Sequence, residues 1–111
     1  MYKDISTAEQ QSAALIIDGA LQRNWKLSVF DGEAWVLKKS TDKGAILDAL
    51  GNTGTDEILF RDSNDARVGK ATLVWGNSAS ELIADSTMDN DGPFDTFFEW
   101  HQNALASQGL A

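Results

Sequence analysis

Hydrophobic residues recur along the chain at two spacings, every three to four residues in some stretches and every second residue in others. The first spacing is typical of an amphipathic helix and the second of a half-buried strand. The helical spacing predicts three helices, over residues 6–23, 43–50 and 93–105. Alternation predicts a hairpin over residues 25–39 and three further strands, over residues 56–62, 67–75 and 80–86.

The ends of the helices carry local signals of their own. Ser6 and Glu9 match a capping box at the start of the first helix. Pro93 suits the first position of the last helix, because the N–H at that position has no partner within a helix. Gly19 lies inside the first helix, where glycine costs about 1 kcal/mol relative to alanine, so we expect a bend or an end there.

Turn residues predict how the strands pair. Asp31-Gly32 lies between two alternating runs, and this dipeptide favours a two-residue type I′ hairpin turn. Such a turn would pair Phe30 with Glu33. In the three-strand meander, loops of four residues would place Lys70 opposite Asp85, which would form a favourable cross-strand ion pair.

The order of these elements is α-β-β-α-β-β-β-α, which predicts an α+β fold. We expect an antiparallel sheet of about five strands, a hairpin plus a three-strand meander, with helices packed mainly on one face. A fully wrapped small barrel is the alternative. The 111 residues predict one domain, over residues 1–111, that is large enough to bury a core. The apolar face of the last helix should close over the sheet with Phe94, Phe97, Phe98, His101 and Leu105.

Charge is distributed unevenly along the chain, whose net charge is −8. Residues 71–111 contain no Lys or Arg, and their acidic residues are Glu81, Asp85, Asp89, Asp91, Asp95 and Glu99. Such a segment repels nucleic acid and anionic lipid and attracts basic protein surfaces. We therefore expect a partner protein with a basic surface, and no direct binding to nucleic acid or membrane. The alternative is that these acids only keep the domain soluble.

Few residues are available for catalysis. The chain has no cysteine and one histidine, His101, which lies on the apolar stripe of the last helix. Thiol chemistry is therefore excluded, and zinc binding and a nucleophilic triad lack their usual residues. Residues 87–92 begin like a calcium loop, but Thr87 replaces its first acid and Phe98 stands where the loop needs glutamate. We predict no enzyme activity, no cofactor and no metal site. A metal-dependent hydrolase using acidic residues is the competing hypothesis.

The adjacent carboxylates Asp56 and Glu57 are a further candidate pair. Neighbouring acids on a surface are usually solvated, and nothing in the sequence ties this pair to a cleft that would perturb its pKa. We therefore expect both side chains to be solvated surface charges.

Three short motifs resemble a pattern found in small uncharacterised proteins encoded by phages and prophages. They are Ser40-Thr41-Asp42, Leu73-Val74-Trp75-Gly76-Asn77 and Ile83-Ala84-Asp85, and the similarity spans residues 27–91. The resemblance implies a phage protein in the cytoplasm of an infected or lysogenic bacterium. Short, acidic, cysteine-free phage proteins include inhibitors of host defence such as anti-CRISPR proteins, some of which mimic the charge of DNA. The polar start of the chain and its short apolar run at residues 13–17 also indicate a soluble, intracellular protein.

Two hypotheses for function follow from these patterns. In the first, a non-enzymatic inhibitor binds a host complex through Glu81, Asp85, Asp89, Asp91, Asp95 and Glu99, with Trp100 as an anchor. Acids at i, i+4 spacing lie about 6 Å apart on a helix, comparable to successive phosphates on a DNA strand. In the second, a homodimeric structural or assembly protein pairs through an aromatic sheet face of Phe30, Trp35 and Leu37. The alternative for Trp100 is packing at the edge of the core.

Overall fold

A computed structural model describes residues 5–76, 82–88 and 93–110 of the chain. The helices are α1 (Thr7–Gln22), α2 (Lys43–Ala49) and α3 (Pro93–Ser107). The strands are β1 (Lys26–Phe30), β2 (Trp35–Ser40), β3 (Thr55–Arg61), β4 (Arg67–Val74) and β5 (Ile83–Met88). The strands form one antiparallel sheet in the order β2-β1-β3-β4-β5. The α+β class is confirmed. The sheet is open, with β2 and β5 at its edges, so the barrel alternative is wrong.

Helix α1 begins at the predicted capping box. The Ser6 hydroxyl accepts the N–H of Glu9 at 3.1 Å, and Glu9 Oε1 accepts the N–H of Ser6 at 3.2 Å. The second carboxylate oxygen of Glu9 accepts the N–H of Gly76, just after β4, at 2.7 Å. Glu9 is buried, so one side chain both starts α1 and fastens it to the sheet. The helix continues through Gly19 to Gln22, so the expectation that it ends at Gly19 is wrong.

The hairpin forms where it was predicted, but its register differs. Phe30 pairs with Trp35 rather than with Glu33, and the loop has four residues. The cause is Asp31: its carboxylate accepts the N–H groups of Glu33 and Ala34, each at 2.9 Å, and holds the longer loop closed. A side chain that bonds nearby backbone competes with the tighter turn. The two-residue turn was therefore the wrong prediction.

The meander also pairs differently from the prediction. Lys70 lies opposite Thr87, and Asp85 lies opposite Thr72, with a register shift between Thr72 and Leu73. Strand β5 begins at Ile83, so the connection from β4 is longer than the four residues that the predicted register required. Lys70 Nζ instead lies 3.4 Å from a carboxylate oxygen of Glu57 on β3. The predicted pairing of Lys70 with Asp85 is wrong.

The core lies between one face of the sheet and the helices. Alternate residues of β1, β3 and β4 point into it, and they are Leu27, Val29, Ile58, Phe60, Ala71 and Leu73. The helices contribute Ile16, Ile17, Ile46 and Phe97 to the same cluster. Trp25 belongs to its aromatic part, with ring centroids 5.9 Å from Phe60 and 5.2 Å from Phe97. Edge-to-face aromatic contacts of this kind add about 0.5–1.5 kcal/mol beyond area burial.

Candidate interaction surfaces

Helix α3 is two-sided in the predicted way. Phe97, His101 and Leu105 are buried, and Phe98 is half-buried against the core. The side chain of Phe94 lies outside the part of the chain that the structure describes. Glu99 is exposed on another side of the helix. The helix therefore buries its aromatic face and displays a carboxylate.

The structure describes only part of the predicted acidic surface. Glu81, Asp89 and Asp91 lie outside the described residues. Asp85 lies in β5 and Asp95 lies in the first turn of α3. The structure describes the backbone of these two residues but not their side chains. Glu99 forms no ion pair with any of the residues whose positions are given. It is the one member of the set whose side chain can be placed.

Trp100 packs against helix α1. Its indole ring covers Gly19 so closely that a β-carbon at that position would overlap the ring. Phe97 stacks on the same indole, with ring centroids 6.2 Å apart and an interplanar angle of 19°. Trp100 is half-buried and packs on the edge of the core. This placement favours the packing role for Trp100 over the role of a partner anchor.

Arg23 is a cation next to this helix, and aromatic rings surround it. Its guanidinium carbon lies 5.3 Å from the ring centroid of Trp100, 5.4 Å from Phe97 and 5.9 Å from Trp25. Its Nη1 donates to the carbonyl of Gly19 at 2.9 Å. Cation–π contacts of this geometry stabilise the fold. Arg23 therefore ties the end of α1 to α3.

The second predicted surface, on the sheet, is partly assembled. Phe30 and Trp35 face each other across the hairpin with ring centroids 5.2 Å apart. Trp35 is 44% exposed. Leu37 lies opposite Val29 and packs against the core instead. The structure thus brings together two of the three predicted residues.

The sequence did not lead us to expect the Lys and Arg side chains that surround Trp35. Two shallow hollows, of about 240 and 220 Å³, flank Trp35 on the sheet face opposite the core, and both are also lined by Leu59. The other lining residues are Ser28, Lys38, Lys39 and Arg61 in the first hollow, and Phe30, Glu57, Arg67 and Lys70 in the second. All of them belong to strands. We call this surface the open face. Alternation could have revealed it, because Arg61 and Lys70 occupy strand positions that point away from the core.

Some of these cations have acidic neighbours. Lys26 Nζ lies 3.0 Å from one carboxylate oxygen of Asp65, and Lys39 Nζ lies 3.6 Å from the other. The hydrogen bond from Lys26, followed by the attraction of both ammonium groups, holds the pKa of Asp65 below its usual range. Among the described side chains that line the hollows or pair with their cations, the cations outnumber the acids Asp65 and Glu57.

Asp56 is buried rather than solvated, which corrects the expectation for the Asp56-Glu57 pair. Its Oδ2 accepts the N–H of Gly51 and the indole N–H of Trp75, each at 2.8 Å. Its Oδ1 has no partner among the described residues, and burial raises the pKa of this carboxyl. Asp56 follows the same alternation as Ile58, and that pattern was the available signal. The contacts fasten the loop after α2 to the end of β4, which is a structural role.

His101 is buried, as predicted. Its Nε2 lies 3.3 Å from the carbonyl oxygen of Ser12 on α1 and 3.2 Å from the hydroxyl of the same residue. A carbonyl oxygen only accepts, so Nε2 carries the proton. Burial lowers the pKa of His101, which keeps the ring neutral at physiological pH. The ring links α1 to α3 and is screened from solvent.

The described residues include no group of three or more His, Cys, Asp or Glu side chains that could hold a metal ion. Within the same residues, no helix has the length and apolar character needed to cross a membrane. Comparison with protein-family models, curated proteins and solved structures returns no match to this chain. The case for function therefore rests on the chain's own surfaces.

Proposed function

We propose that this chain is a non-enzymatic acidic binding protein, encoded by a phage, that occupies a basic nucleic-acid-binding surface of a host defence complex such as a CRISPR–Cas effector. The observation that carries the proposal is the absence of Lys and Arg after Lys70, in a segment that contains six acidic residues. Carboxylates arranged along a helix can occupy Lys and Arg sites that normally bind phosphates.

The described geometry supports this proposal in two ways. Helix α3 packs with Phe97 and Leu105 toward the core, so the exposed side that carries Glu99 is available to a partner. The nearby cation Arg23 lies over the aromatic rings of Phe97 and Trp100 and forms no ion pair with Glu99. The carboxylate of Glu99 is therefore not neutralised by a described neighbour, and a basic partner would supply the missing charge.

Charge reversal on α3, with a matched control, tests the proposal. The test variant is Asp95→Lys/Glu99→Lys. The control is Glu33→Lys/Asp48→Lys, which changes the net charge equally at two exposed acids away from α3. The assay is displacement of fluorescent DNA from a purified CRISPR effector complex at low and at physiological salt. Each exposed ion pair contributes up to about 1 kcal/mol, so losing two of them should weaken competition by up to about thirtyfold.

The control variant should compete like the wild type, and added salt should weaken wild-type competition. Equal weakening of both variants would show that only net charge matters. A wild-type protein that never displaces the DNA would refute the proposed target. Thermal unfolding of both variants checks that they fold.

The second candidate function is a homodimer that pairs through the aromatic sheet face. The exposed Trp35, held against Phe30, favours it, because exposed aromatic clusters often mark contact sites. The cations that line the hollows oppose it, since a symmetric pairing would bring like charges together. Light scattering on the wild type and on Trp35→Ala decides: a monomer in both cases removes this candidate.

A further inference from the structure

We propose that the open face of the sheet is a second binding surface, and that its partner is an acidic segment of another protein. An apolar side chain of that segment would pack on Trp35, and its carboxylates would reach the two cationic hollows. This inference concerns the side of the sheet opposite α3 and does not depend on the acids of that helix.

The cations of the chain are concentrated on this face. Of its nine Lys and Arg residues, five line the two hollows, whereas Glu57 is the one acid among the described residues that does so. The protein as a whole carries a net charge of −8. Charges that served only solubility would not need to separate by sign in this way. The local excess of positive charge selects an anionic partner.

An aromatic anchor stands between the two hollows. Trp35 lines both and is 44% exposed, and its contact with Phe30 fixes its ring. A preordered, exposed tryptophan with cations around it has the composition of an interface hot spot. The apolar floor provided by Leu59 gives a partner's aliphatic side chain a surface to bury.

The size of the hollows and the charge of the protein favour an acidic polypeptide over other anions. At about 240 and 220 Å³ the hollows are smaller than the roughly 300–1,000 Å³ of small-molecule pockets, and they suit single side chains. A nucleic acid would bring a continuous line of phosphates toward a protein of net charge −8. An acidic segment presents only a few charges, which this face can neutralise.

The partner segment is expected to lie across the face instead of extending the sheet. Strand β2 is the nearest edge, and it carries Lys38 and Lys39, with Lys39 in a left-handed conformation at φ 50°. Register shifts interrupt its pairing with β1. Lysine and backbone irregularity are the usual protections of an edge strand against added strands.

Fluorescence anisotropy with labelled peptides tests this inference on the full chain. The probes are short peptides with Asp and Glu flanking one central Leu, Phe or Trp, matched peptides with Asn and Gln in place of the acids, and single-stranded oligothymidine. The acidic peptides should bind saturably at low salt, and the neutral peptides should not.

Two pairs of variants locate the binding. Lys38→Ala should weaken peptide binding by about two- to fivefold, and Trp35→Ala by about fivefold or more. Their matched controls should not: Lys43→Ala removes a cation on α2 that pairs with Asp18, and Val36→Ala trims the exposed neighbour of Trp35 on the same strand. Circular dichroism confirms that the variants fold.

The possible outcomes separate the partners and the two proposals. Absence of saturable binding by every acidic peptide would overturn the inference, as would equal effects of the test and control variants. Oligothymidine that binds in place of the peptides with the same sensitivity to Lys38→Ala would reassign the face to nucleic acid. Self-association that Trp35→Ala abolishes would reassign it to a second copy. At physiological salt, where its charge is screened from the open face, Glu99→Lys should leave peptide binding unchanged, so failure of the acids on α3 and failure of the open face remain distinguishable.

Discussion

Replacing Gly19 by alanine should destabilise the protein, although it improves the helix propensity of α1. Alanine is about 1 kcal/mol more favourable than glycine inside a helix. At this position, however, the new methyl group would overlap the indole of Trp100. That ring is held in place by stacking on Phe97 and by the guanidinium of Arg23. The methyl group therefore has to displace a packed ring.

Forcing a methyl group into a packed site typically costs about 1–3 kcal/mol. Subtracting the propensity gain of about 1 kcal/mol leaves a net loss of about 1 kcal/mol for Gly19→Ala. In a Trp100→Ala background the overlap disappears and the propensity gain remains. The same substitution should then stabilise the protein by about 1 kcal/mol, which makes the coupling between the two positions about 2 kcal/mol.

Urea unfolding at 25 °C of the wild type, both single variants and the double variant measures this coupling. A Gly19→Ala protein that is more stable than the wild type would contradict the contact with Trp100. An equal effect of Gly19→Ala in both backgrounds would contradict it as well. The expected change of sign would establish that Trp100 is used by the fold, and would leave Glu99 on α3 to act without an aromatic anchor.

Three further predictions concern buried polar groups. Glu9→Ala should cost about 2–3 kcal/mol, because it removes the capping box and the bond to the N–H of Gly76; urea unfolding measures the loss. The raised pKa of Asp56 means that its contribution to stability is largest below its unfolded pKa near 3.8 and is lost as pH rises through the folded pKa. The free energy of unfolding should therefore decline above about pH 4, and Asp56→Asn should flatten that decline in unfolding titrations. The pKa of His101 is lowered below its usual 6.5, so the unfolded protein binds more protons and stability should fall as pH drops below that value. His101→Gln should remove this fall in stability. An unchanged fall would assign it to another group.

The order of helices and strands was predictable because burying one face of each element requires hydrophobic residues at a regular spacing. Helix α1 begins at Ser6-Glu9 and α3 begins at Pro93, as their capping signals indicated. The hairpin register was not predictable from the Asp31-Gly32 pair alone. Its outcome depends on whether the Asp31 carboxylate accepts two backbone N–H groups, and the dipeptide statistics do not resolve that competition.

The buried and surface roles of single residues were harder to predict. Asp56 was assigned to the surface by its residue type, although its place in the alternation puts it beside Ile58 on the core face. Its carboxylate accepts the indole N–H of Trp75 and the backbone N–H of Gly51. Trp75 is distant along the chain, and Gly51 belongs to a loop. Trp100 was ambiguous for a similar reason: the residue that decides its role is Gly19, on a different helix. Alternation predicts the face on which Asp56 lies, but it does not predict the partners of Asp56 or the contact of Trp100 with Gly19, because those are tertiary contacts.

The dimensions of the protein allow each proposed surface to act through its local charge and not through the net charge of the whole protein. The molecule measures 35 × 31 × 22 Å, and its smallest extent exceeds the Debye length of about 8 Å at physiological ionic strength. Charges on α3 are therefore largely screened from a partner bound on the opposite side of the sheet. A basic partner on α3 and an acidic partner on the open face can each respond to local charge, although the net charge has one sign. Variants of equal net charge that differ only in position are for this reason the decisive comparison for both surfaces.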